Sequence, residues 1–287
     1  MTSSSGPAAA VTGRSFLITG GNTGIGLATA VELAAGGGRV YIGCRSAAAG
    51  EAAVARIKAE SGSADVGLLP LDLASLSSVR DCAAAFLARD EPLHVLVNNA
   101  GVGGQRGLTA DGFELHFGVN HLGHFALTQL LLGRLTESGP GTRIVNVSSD
   151  AHYGAPGIDF AAVRRRTATF AGMREYSVSK LGNVLYTQEL ARLLAGSGVQ
   201  SYALHPGVVA SDIWRRVPRL ARPFVTRRML TVEQGAATSV YCATSPAVAG
   251  ESGLYYDRCA AREPSPVATK ELAALLWAHS AEWTGVG

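Results

Sequence analysis

Thr19-Gly20-Gly21-Asn22-Thr23-Gly24-Ile25-Gly26 is the stretch of this sequence that decides its fold. An apolar run, Ser15–Thr19, leads into it, and a segment of helical periodicity begins at Gly24. Gly20 permits a sharp turn, Gly24 lets the backbone approach a pyrophosphate, and Gly26 lets a helix pack closely on the preceding strand. The N–H groups that open such a helix attract phosphate. The stretch therefore predicts a nucleotide site, with a glycine turn that holds no ligand as the alternative.

The rest of the chain repeats this alternation of short apolar runs and helical segments. The runs are rich in valine, isoleucine and leucine, as expected of strands with helices on both faces. We therefore predict an α/β fold: a single doubly wound Rossmann-type domain with about seven parallel strands and helices on both faces of the sheet. The predicted strands are Ser15–Thr19, Val40–Cys44, Gly67–Leu71, Val95–Asn98, Arg143–Val147, Gln200–Leu204 and Gly253–Tyr256. The predicted helices are Gly24–Ala35, Ala47–Ser61, Ser75–Arg89, Gly112–Leu135, Glu175–Ala195, Val232–Ala243 and Ala268–Ala281.

The composition limits the classes of partner. Lysine and arginine total 25 and aspartate and glutamate 22, so the net charge is +3 and no overall field favours a nucleic acid. No apolar run approaches the ~20 residues of a membrane span. The four cysteines form no CxxC pair and no metal-ligand spacing, which predicts a cytoplasmic protein without a metal site. Residues 1–13 are predicted to be a flexible tail and residues 14–287 the one domain.

The ends of the second and third predicted strands bear on which nucleotide is bound. An NAD site usually has a carboxylate after its second strand to hold the ribose 2′-hydroxyl, and this chain has Cys44 and Arg45 there. An arginine suits a 2′-phosphate, so NADP(H) is favoured and NAD(H) stays possible. The alternative is that Arg45 only faces water at a helix start. Asp72 either accepts a hydrogen bond from the adenine amino group or caps the following helix.

Tyr176 and Lys180 carry the main catalytic signal. Residues four apart share a helix face, and a nearby ammonium group lowers the pKa of a tyrosine from ~10. Tyr176 could then act as a general acid or base on a carbonyl or alcohol oxygen, although alone the pair would be an ordinary exposed helix pair. Ser148 and Ser149 end a buried strand, where a hydroxyl can donate to the same oxygen. Asn120 lies in an apolar helical stretch, where its amide needs a partner or a bound water.

Together these motifs resemble the classical short-chain dehydrogenase/reductase family over nearly the whole chain after the tail. The matching motifs are TGxxxGIG at Thr19–Gly26, Asp72-Leu73, NNAG at Asn98–Gly101, YxxxK at Tyr176–Lys180 and Pro206-Gly207. Finer strings resemble the retinol-dehydrogenase-like branch, and these are Val119–Phe125, Asn146–Ser149, Ser179–Asn183 and Leu276-Trp277 with Ser280.

The resemblance implies roles for the matching residues. Ser149, rather than Ser148, would polarise the carbonyl, and Tyr176 would donate the proton. Lys180 would lower the tyrosine pKa and bind ribose, and Asn120 would hold a relay water. The implied cofactor set is Gly20, Asn22, Thr23, Gly24, Ile25, Gly26, Arg45, Asp72, Leu73, Asn99, Ala100, Gly101, Tyr176, Lys180, Pro206, Gly207, Val208 and Ser211.

Two segments interrupt the alternation of strands and helices. Residues 154–169 form an insertion that carries Arg164, Arg165 and Arg166. A lid is predicted at about 210–230, rich in arginine between Trp214 and Arg228. It has three alternative interpretations: a solvated cover over an apolar substrate, a surface for an anionic carrier such as an acyl carrier protein, or a segment with weak affinity for a membrane surface.

The sequence thus predicts an NADPH-dependent oxidoreductase, a carbonyl reductase (ketoreductase) or alcohol dehydrogenase. Its substrate would be a bulky, mainly apolar ketone, aldehyde or secondary alcohol, such as a polyketide-like metabolite, either free or tethered to a carrier protein. The alternative is a non-redox nucleotide-binding scaffold or a redox-neutral enzyme on the same fold. By resemblance, a homodimer or homotetramer is expected through the helices that follow the fourth and fifth strands.

Overall fold

The computed structural model describes residues 11–208 and 230–287. In these residues the strands are β1 (Ser15–Thr19), β2 (Arg39–Cys44), β3 (Val66–Pro70), β4 (Val95–Asn98), β5 (Thr142–Val147), β6 (Val199–His205), β7 (Tyr255–Asp257) and β8 (Ala260–Arg262). The helices are α1 (Gly24–Ala35), α2 (Ala47–Ser61), α3 (Leu76–Leu87), α4 (Leu115–Phe117), α5 (Gly123–Glu137), α6 (Met173–Leu193), α7 (Val232–Thr244) and α8 (Lys270–Thr284). A π-helical turn, Gly118–Leu122, joins α4 to α5.

The strands form one sheet in the order β3-β2-β1-β4-β5-β6-β7-β8. Strands β1 to β7 pair in parallel, and β8 pairs antiparallel with β7. The order reverses between β1 and β4, which are direct neighbours with Ile18 opposite Val97. A reversal of this kind opens a crevice at the carboxyl ends of the strands, where ligands of open α/β sheets bind. The predicted doubly wound, single-sheet architecture is confirmed.

The described sheet has eight strands where the sequence predicts about seven. The additional strand, Ala260–Arg262, is exposed along its length, so it has no apolar run that would mark it as a strand. Arg258 and Cys259 have φ values of 50° and 60°, and these left-handed conformations make the tight turn that reverses the chain. The preceding strand is displaced from the predicted Gly253–Tyr256 to Tyr255–Asp257.

Alternate residues of each strand point into two apolar layers, one on each face of the sheet. Phe16 and Ile18 of β1 pack in the layer beneath α1, α2 and α7, and both are 0% exposed. Leu17 of the same strand points to the opposite layer, beneath α3, α5 and α6, and is also 0% exposed. The loop at the carboxyl end of β1 therefore extends from a strand that is fully buried in the core.

The predicted continuous helix Gly112–Leu135 is wrong, because a π-helical turn interrupts it. The short helix α4 ends at Phe117, the wider turn follows, and α5 begins at Gly123 and runs to Glu137. The turn presents Asn120 to the loop after β4: Asn120 Oδ1 accepts from Val102 N at 2.8 Å, and Asn120 Nδ2 donates to Val102 O at 3.1 Å. A π-turn inside a helix commonly marks a functional position.

The described domain extends further toward the N-terminus than the predicted boundary at Arg14. Val11 is 4% exposed and packs in the core layer beneath α1. A Cβ on Gly36 would lie 3.1 Å from Val11 Cγ1, so this contact is close. Val11, which lies in the predicted tail, is therefore packed against the domain.

Helix α8 covers the outer side of α5 and α6. Trp277 stacks on Tyr186 with ring centroids 5.8 Å apart, and meets Phe125 edge-on at 5.1 Å. Ser280 Oγ is 3.0 Å from His121 Nε2 and is fully buried. Within residues 11–208 and 230–287, no helix combines the length and apolarity needed to cross a membrane.

Candidate active site

The glycine loop lies at the carboxyl ends of β1 and β4. Gly20 has a φ of +66°, in the left-handed region, and its N–H donates to Gly43 O at 2.8 Å. A Cβ on Gly26 would lie 2.4 Å from Asn99 Nδ2 and 2.5 Å from Gly20 O, so no larger residue fits without displacing backbone. Asn99 Nδ2 also donates to Thr19 O at 2.8 Å. The loop is therefore packed directly against the NNAG segment.

The first turn of α1 suits an anion. Its N-cap residue, Thr23, makes no side-chain capping bond to the helix, and the turn contains no acidic residue. The N–H groups that open a helix have no intrahelical acceptor, and the helix dipole adds positive potential there. The pyrophosphate of a dinucleotide suits this loop, since the first turn of α1 carries no acidic side chain that would repel it.

The other predicted cofactor residues line the same crevice or support it. Asn22 and Ile25 are partly exposed in the loop and the first turn of α1, and Leu73 is buried at 6% exposure. Ala100 N donates to Thr19 Oγ1 at 2.9 Å. Gly101 is exposed, and a Cβ there would lie 3.6 Å from Lys180 Nζ, so this segment reaches the catalytic side chains.

Arg45 and Asp72 follow β2 and β3 at this edge. Arg45 is exposed, and the next residue, Ser46, caps α2 by accepting from Ala49 N at 3.3 Å. Asp72 does not cap α3, because Ser75 is the N-cap residue of that helix. The Asp72 carboxylate instead accepts from Ala74 N at 3.0 Å and closes a turn. This leaves a positively charged side chain and a helix N-terminus together at the end of β2.

His124 joins the glycine loop to the π-turn. Thr19 Oγ1 accepts from Asn99 N and Ala100 N, both at 2.9 Å, so its own proton is left for His124 Nε2 at 2.8 Å. These partners make Nε2 the acceptor, and His124 Nδ1–H donates to Asn120 O at 3.0 Å. By these contacts His124 is a structural histidine, and nothing in the sequence points to this link.

The four predicted catalytic side chains converge at the carboxyl end of β5. Lys180 is 4% exposed, and its Nζ donates to Val147 O at 2.9 Å and lies 5.7 Å from the centroid of the Tyr176 ring. Asn120 Nδ2 donates to Ser179 Oγ at 2.9 Å, and this bond joins the π-turn to α6, the helix that carries Tyr176 and Lys180. Residues far apart in the sequence thus meet opposite the glycine loop.

The predicted lowering of the tyrosine pKa by Lys180 is wrong for this arrangement. Burial raises the pKa of Tyr176, and hydrogen bonding with the Ser149 side chain opposes the increase. Burial lowers the pKa of Lys180 to about 8. Lys180 Nζ donates to the Val147 carbonyl, and burial is the largest cause of the Tyr176 shift, so the loss of phenolate hydration outweighs any benefit from the nearby ammonium group.

The two serines at the end of β5 have different surroundings. Ser148 is 2% exposed, and its hydroxyl donates to Lys180 O at 2.7 Å. Ser149 is partly exposed, its Oγ accepts from Ala151 N at 3.2 Å, and its side chain hydrogen-bonds with that of Tyr176, so it lies beside the predicted proton donor. The structure therefore supports Ser149 over Ser148 as the residue that faces a substrate oxygen.

His152 is a supporting residue that the sequence analysis missed. The ring is fully buried, with Nδ1 2.7 Å from Ser149 O and Nε2 accepting from Ser265 N at 3.0 Å. A carbonyl on one side and an N–H on the other require the neutral Nδ1–H tautomer, and burial lowers the pKa of His152. No spacing in the sequence could reveal this, because Ser265 is 113 residues away.

Glu114 and His116 form a second buried support that the sequence did not reveal. His116 Nδ1 is 2.9 Å from Glu114 Oε1, and the two residues are 0% and 2% exposed. Glu114 also accepts from Phe117 N at 2.9 Å and from the Thr167 hydroxyl. The His116 ring meets Tyr176 edge-on at 6.2 Å, so the insertion is anchored next to Tyr176.

The segment after β6 is described only as far as Val208. Gly207 has a φ of +84°, and Val208 is 54% exposed with its carbonyl accepting from Leu230 N at 2.9 Å. Ser211, Trp214 and residues 209–229 of the predicted lid lie outside the described residues. Among the residues that are described, no group of three or more histidine, cysteine, aspartate or glutamate side chains could hold a metal ion.

Replacing Gly26 with alanine should destabilise the fold and impair nucleotide binding. The new Cβ would overlap Gly20 O at 2.5 Å, and the strain of such overpacking costs about 1–3 kcal/mol. Gly133→Ala in α5 is the control, because a Cβ there meets nothing within 4 Å and should stabilise by about 0.5–1 kcal/mol. Urea unfolding of both variants, with and without NADPH, measures the difference. Equal stability of the two variants would contradict the packing described for the loop.

Comparison with known proteins agrees with this site. The family model described as short chain dehydrogenase matches residues 14–219. The chain is 45% identical to Retinol dehydrogenase 12 of Homo sapiens over 284 residues, covering 96% of this chain and 87% of the relative. A crystal structure of an uncharacterized protein from Mycobacterium paratuberculosis aligns with a TM-score of 0.76 and 35% identity, covering 97% of both chains. The active-site complex of Pseudomonas aeruginosa RhlG with NADP aligns with a TM-score of 0.71 and 28% identity, covering 87% of this chain and 96% of that one.

The chain therefore belongs to the short-chain dehydrogenase family, whose members bind a nicotinamide cofactor and act on alcohol or carbonyl groups. Within that family it lies in the retinol-dehydrogenase-like branch, as the finer sequence strings predicted.

Proposed function

We propose that this protein is an NADPH-dependent carbonyl reductase, equivalently an alcohol dehydrogenase in reverse, acting on a bulky, mainly apolar aldehyde, ketone or secondary alcohol. The observation that carries the proposal is the convergence of Ser149, Tyr176 and Lys180 opposite a glycine loop suited to a dinucleotide. The complex of RhlG with NADP supports the choice of nucleotide, and retinol, named in the human relative, is a bulky apolar alcohol.

In this mechanism the residues of the chain position and protonate the substrate oxygen, and the bound nicotinamide supplies the hydride. Ser149 donates a hydrogen bond to the carbonyl oxygen, and the Tyr176 phenol transfers its proton to that oxygen. Because burial raises the pKa of Tyr176, the phenol is protonated at neutral pH, as reduction requires. Lys180 holds the ribose hydroxyls of the nicotinamide nucleoside, and Asn120 holds the water that returns a proton to the tyrosine.

The proposed compartment is the cytoplasm, and the proposed assembly is a homodimer or homotetramer. The four cysteines are free, and Cys44, Cys82 and Cys242 are buried, as suits a reducing compartment. Helix α8 covers the outer side of α5 and α6, the helices through which the resemblance predicts assembly. An assembly on this side would therefore have to include α8 in its interface.

Arg45→Ala should remove the preference for NADPH. A charge-assisted hydrogen bond to the 2′-phosphate contributes about 1.5–3 kcal/mol, so we expect NADPH affinity to fall about 10- to 100-fold and NADH affinity to change little. Thermal unfolding titrated with each nucleotide measures this, since a ligand at 100 times its Kd adds ~2.7 kcal/mol to the unfolding free energy. Arg192→Ala is the matched control, because Arg192 lies in the last turn of α6, at the end of that helix opposite to Tyr176.

The same titration, followed by an NADPH oxidation assay with a bulky apolar aldehyde, tests the proposed function. The expected result is a larger thermal shift with NADPH and consumption of NADPH that depends on the aldehyde. A larger shift with NADH would overturn the Arg45 argument and leave the class of reaction intact. No shift with either nucleotide would favour the redox-neutral alternative.

A further inference from the structure

Phe170 is the most exposed large apolar side chain in the described part of the chain, at 92%. It lies in what we call the 168–175 loop, which consists of the turn before α6 and the first three residues of that helix, directly before Tyr176. Met173 in the same loop is 53% exposed. Burying a phenylalanine side chain is worth about 1.5–3 kcal/mol, so leaving it fully in water forgoes that stabilisation. The ring is therefore available to an apolar surface that approaches this loop.

The 168–175 loop is held in one shape by Glu175. The carboxylate accepts from Ala168 N at 2.9 Å, from Thr169 N at 3.0 Å and from the Thr169 hydroxyl. At the other end Gly172 has a φ of +63°, and a Cβ there would lie 2.4 Å from His116 Cε1. Phe170 is thus presented to solvent by a backbone that is fixed on both sides.

Arginines surround this loop. Arg164, Arg165, Arg166 and Arg174 are exposed, and so is Arg106, whose guanidinium donates to Thr167 O at 3.3 Å. Between residues 155 and 176 the sequence contains four arginines and two carboxylates. One of these carboxylates, Glu175, is occupied by the loop itself. The surface around Phe170 therefore has an excess of positive charge.

Two of these arginines lie near one carboxylate, that of Asp159. Hydrogen bonds from Ala162 N and Ala161 N, and then the charges of Arg165 and Arg174, lower the pKa of Asp159. Two guanidinium groups from opposite ends of the segment thus lie near the same exposed carboxylate. A cationic surface with an apolar tip is the combination that binds the interface of an anionic membrane.

We propose that the 168–175 loop and its surrounding arginines dock this protein on an anionic lipid bilayer, with Phe170 and Met173 entering the interface. A lipid surface accepts an isolated aromatic ring without a complementary pocket, whereas an acidic protein partner would need one shaped to it. The loop immediately precedes Tyr176, so docking places the active site next to the bilayer. An apolar substrate dissolved in the membrane would then reach the site without crossing water.

Binding of the whole protein to sedimenting vesicles tests the proposal. We expect it to bind vesicles of phosphatidylcholine and phosphatidylserine at a ratio of about two to one, to bind pure phosphatidylcholine vesicles more weakly, and to be released as salt screens the charges. Phe170→Ser should weaken binding about tenfold, because the membrane would no longer bury an aromatic side chain at this position. Arg165→Ala with Arg166→Ala should weaken it about 25-fold, at about 1 kcal/mol for each arginine.

Leu275→Ser on α8 is the matched control, because Leu275 is 54% exposed and lies on a different element. It should bind vesicles like the unaltered protein. Unchanged binding in the Phe170 and arginine variants would overturn the proposal, since other parts of the chain would then carry the affinity. A raised KM for a water-soluble aldehyde in Phe170→Ser, with vesicle binding intact, would assign the loop to the substrate site instead. If the unaltered protein did not reduce the soluble aldehyde at all, the proposed function would be contradicted. The vesicle-binding result would still hold.

Discussion

Tyr176→Phe is expected to lower kcat for carbonyl reduction by about a thousandfold or more, because removing the phenol removes the proton donor and one hydrogen bond to the developing oxyanion together. The ring itself remains in place, so its edge contact with His116 at 6.2 Å and the position of α6 should be preserved. We therefore expect the NADPH-induced thermal shift of the variant to match that of the unaltered protein. Steady-state kinetics with a saturating aldehyde measures the loss.

Tyr186→Phe provides the control for this substitution. Tyr186 lies on the same helix, is 3% exposed, and its hydroxyl accepts from Gln129 Nε2 at 3.1 Å. Losing this hydroxyl should cost about 1 kcal/mol of stability and leave kcat unchanged. If Tyr176→Phe turned over substrate at the rate of Tyr186→Phe, the proton would have to come from another group.

Acidification should destabilise the fold strongly, because two buried histidines are neutral in the native state. His121 and His124 are 1% and 2% exposed, and burial lowers their pKa values to about 3 and about 4. In the unfolded chain both take up a proton near pH 6.5, so the unfolded state binds more protons below that pH. Their contribution to stability is therefore complete above pH ~6.5 and is lost as the pH falls toward the native pKa values.

The expected loss is about 1.4 kcal/mol per pH unit for each of the two histidines, or roughly 4 kcal/mol between pH 6.5 and pH 5. Burial also lowers the pKa values of His94, His152 and His205, which act in the same direction. Urea midpoints at several pH values in this range measure the effect.

His121→Gln separates the contribution of one histidine from the rest. A glutamine amide can take the place of His121 Nε2 opposite Ser280 Oγ, while the other ring nitrogen has no hydrogen-bond partner in the described structure. The variant should lose stability less steeply with acid, by about 1.4 kcal/mol per pH unit. An unchanged slope would mean that His121 is already protonated in the native state or that the unfolded chain does not take up the proton.

The elements that the sequence predicted correctly are those whose signal is local. Gly24–Ala35 and Ala47–Ser61 have the predicted bounds, since each follows a strand end and a threonine or serine N-cap residue. Ala260–Arg262 was missed, because a strand that is exposed along its length depends on its pairing partner for stability. The π-turn at Gly118–Leu122 was missed for a similar reason: contacts with Val102, which is distant in the sequence, accompany the change of pitch.

The sequence by itself determined the family, the order of the elements and the identity of the chemical groups, because spacing within one strand or helix sets which side chains share a face. Only the tertiary structure decided the hydrogen-bond partners and the pKa values of those groups. Lys180 Nζ donates to the Val147 carbonyl, Ser148 donates to the Lys180 backbone, and Ser149 hydrogen-bonds with Tyr176. His152 joins Ser149 to a loop more than a hundred residues away. Burial and hydrogen bonding set a pKa, and both depend on residues that the chain brings together only when it folds.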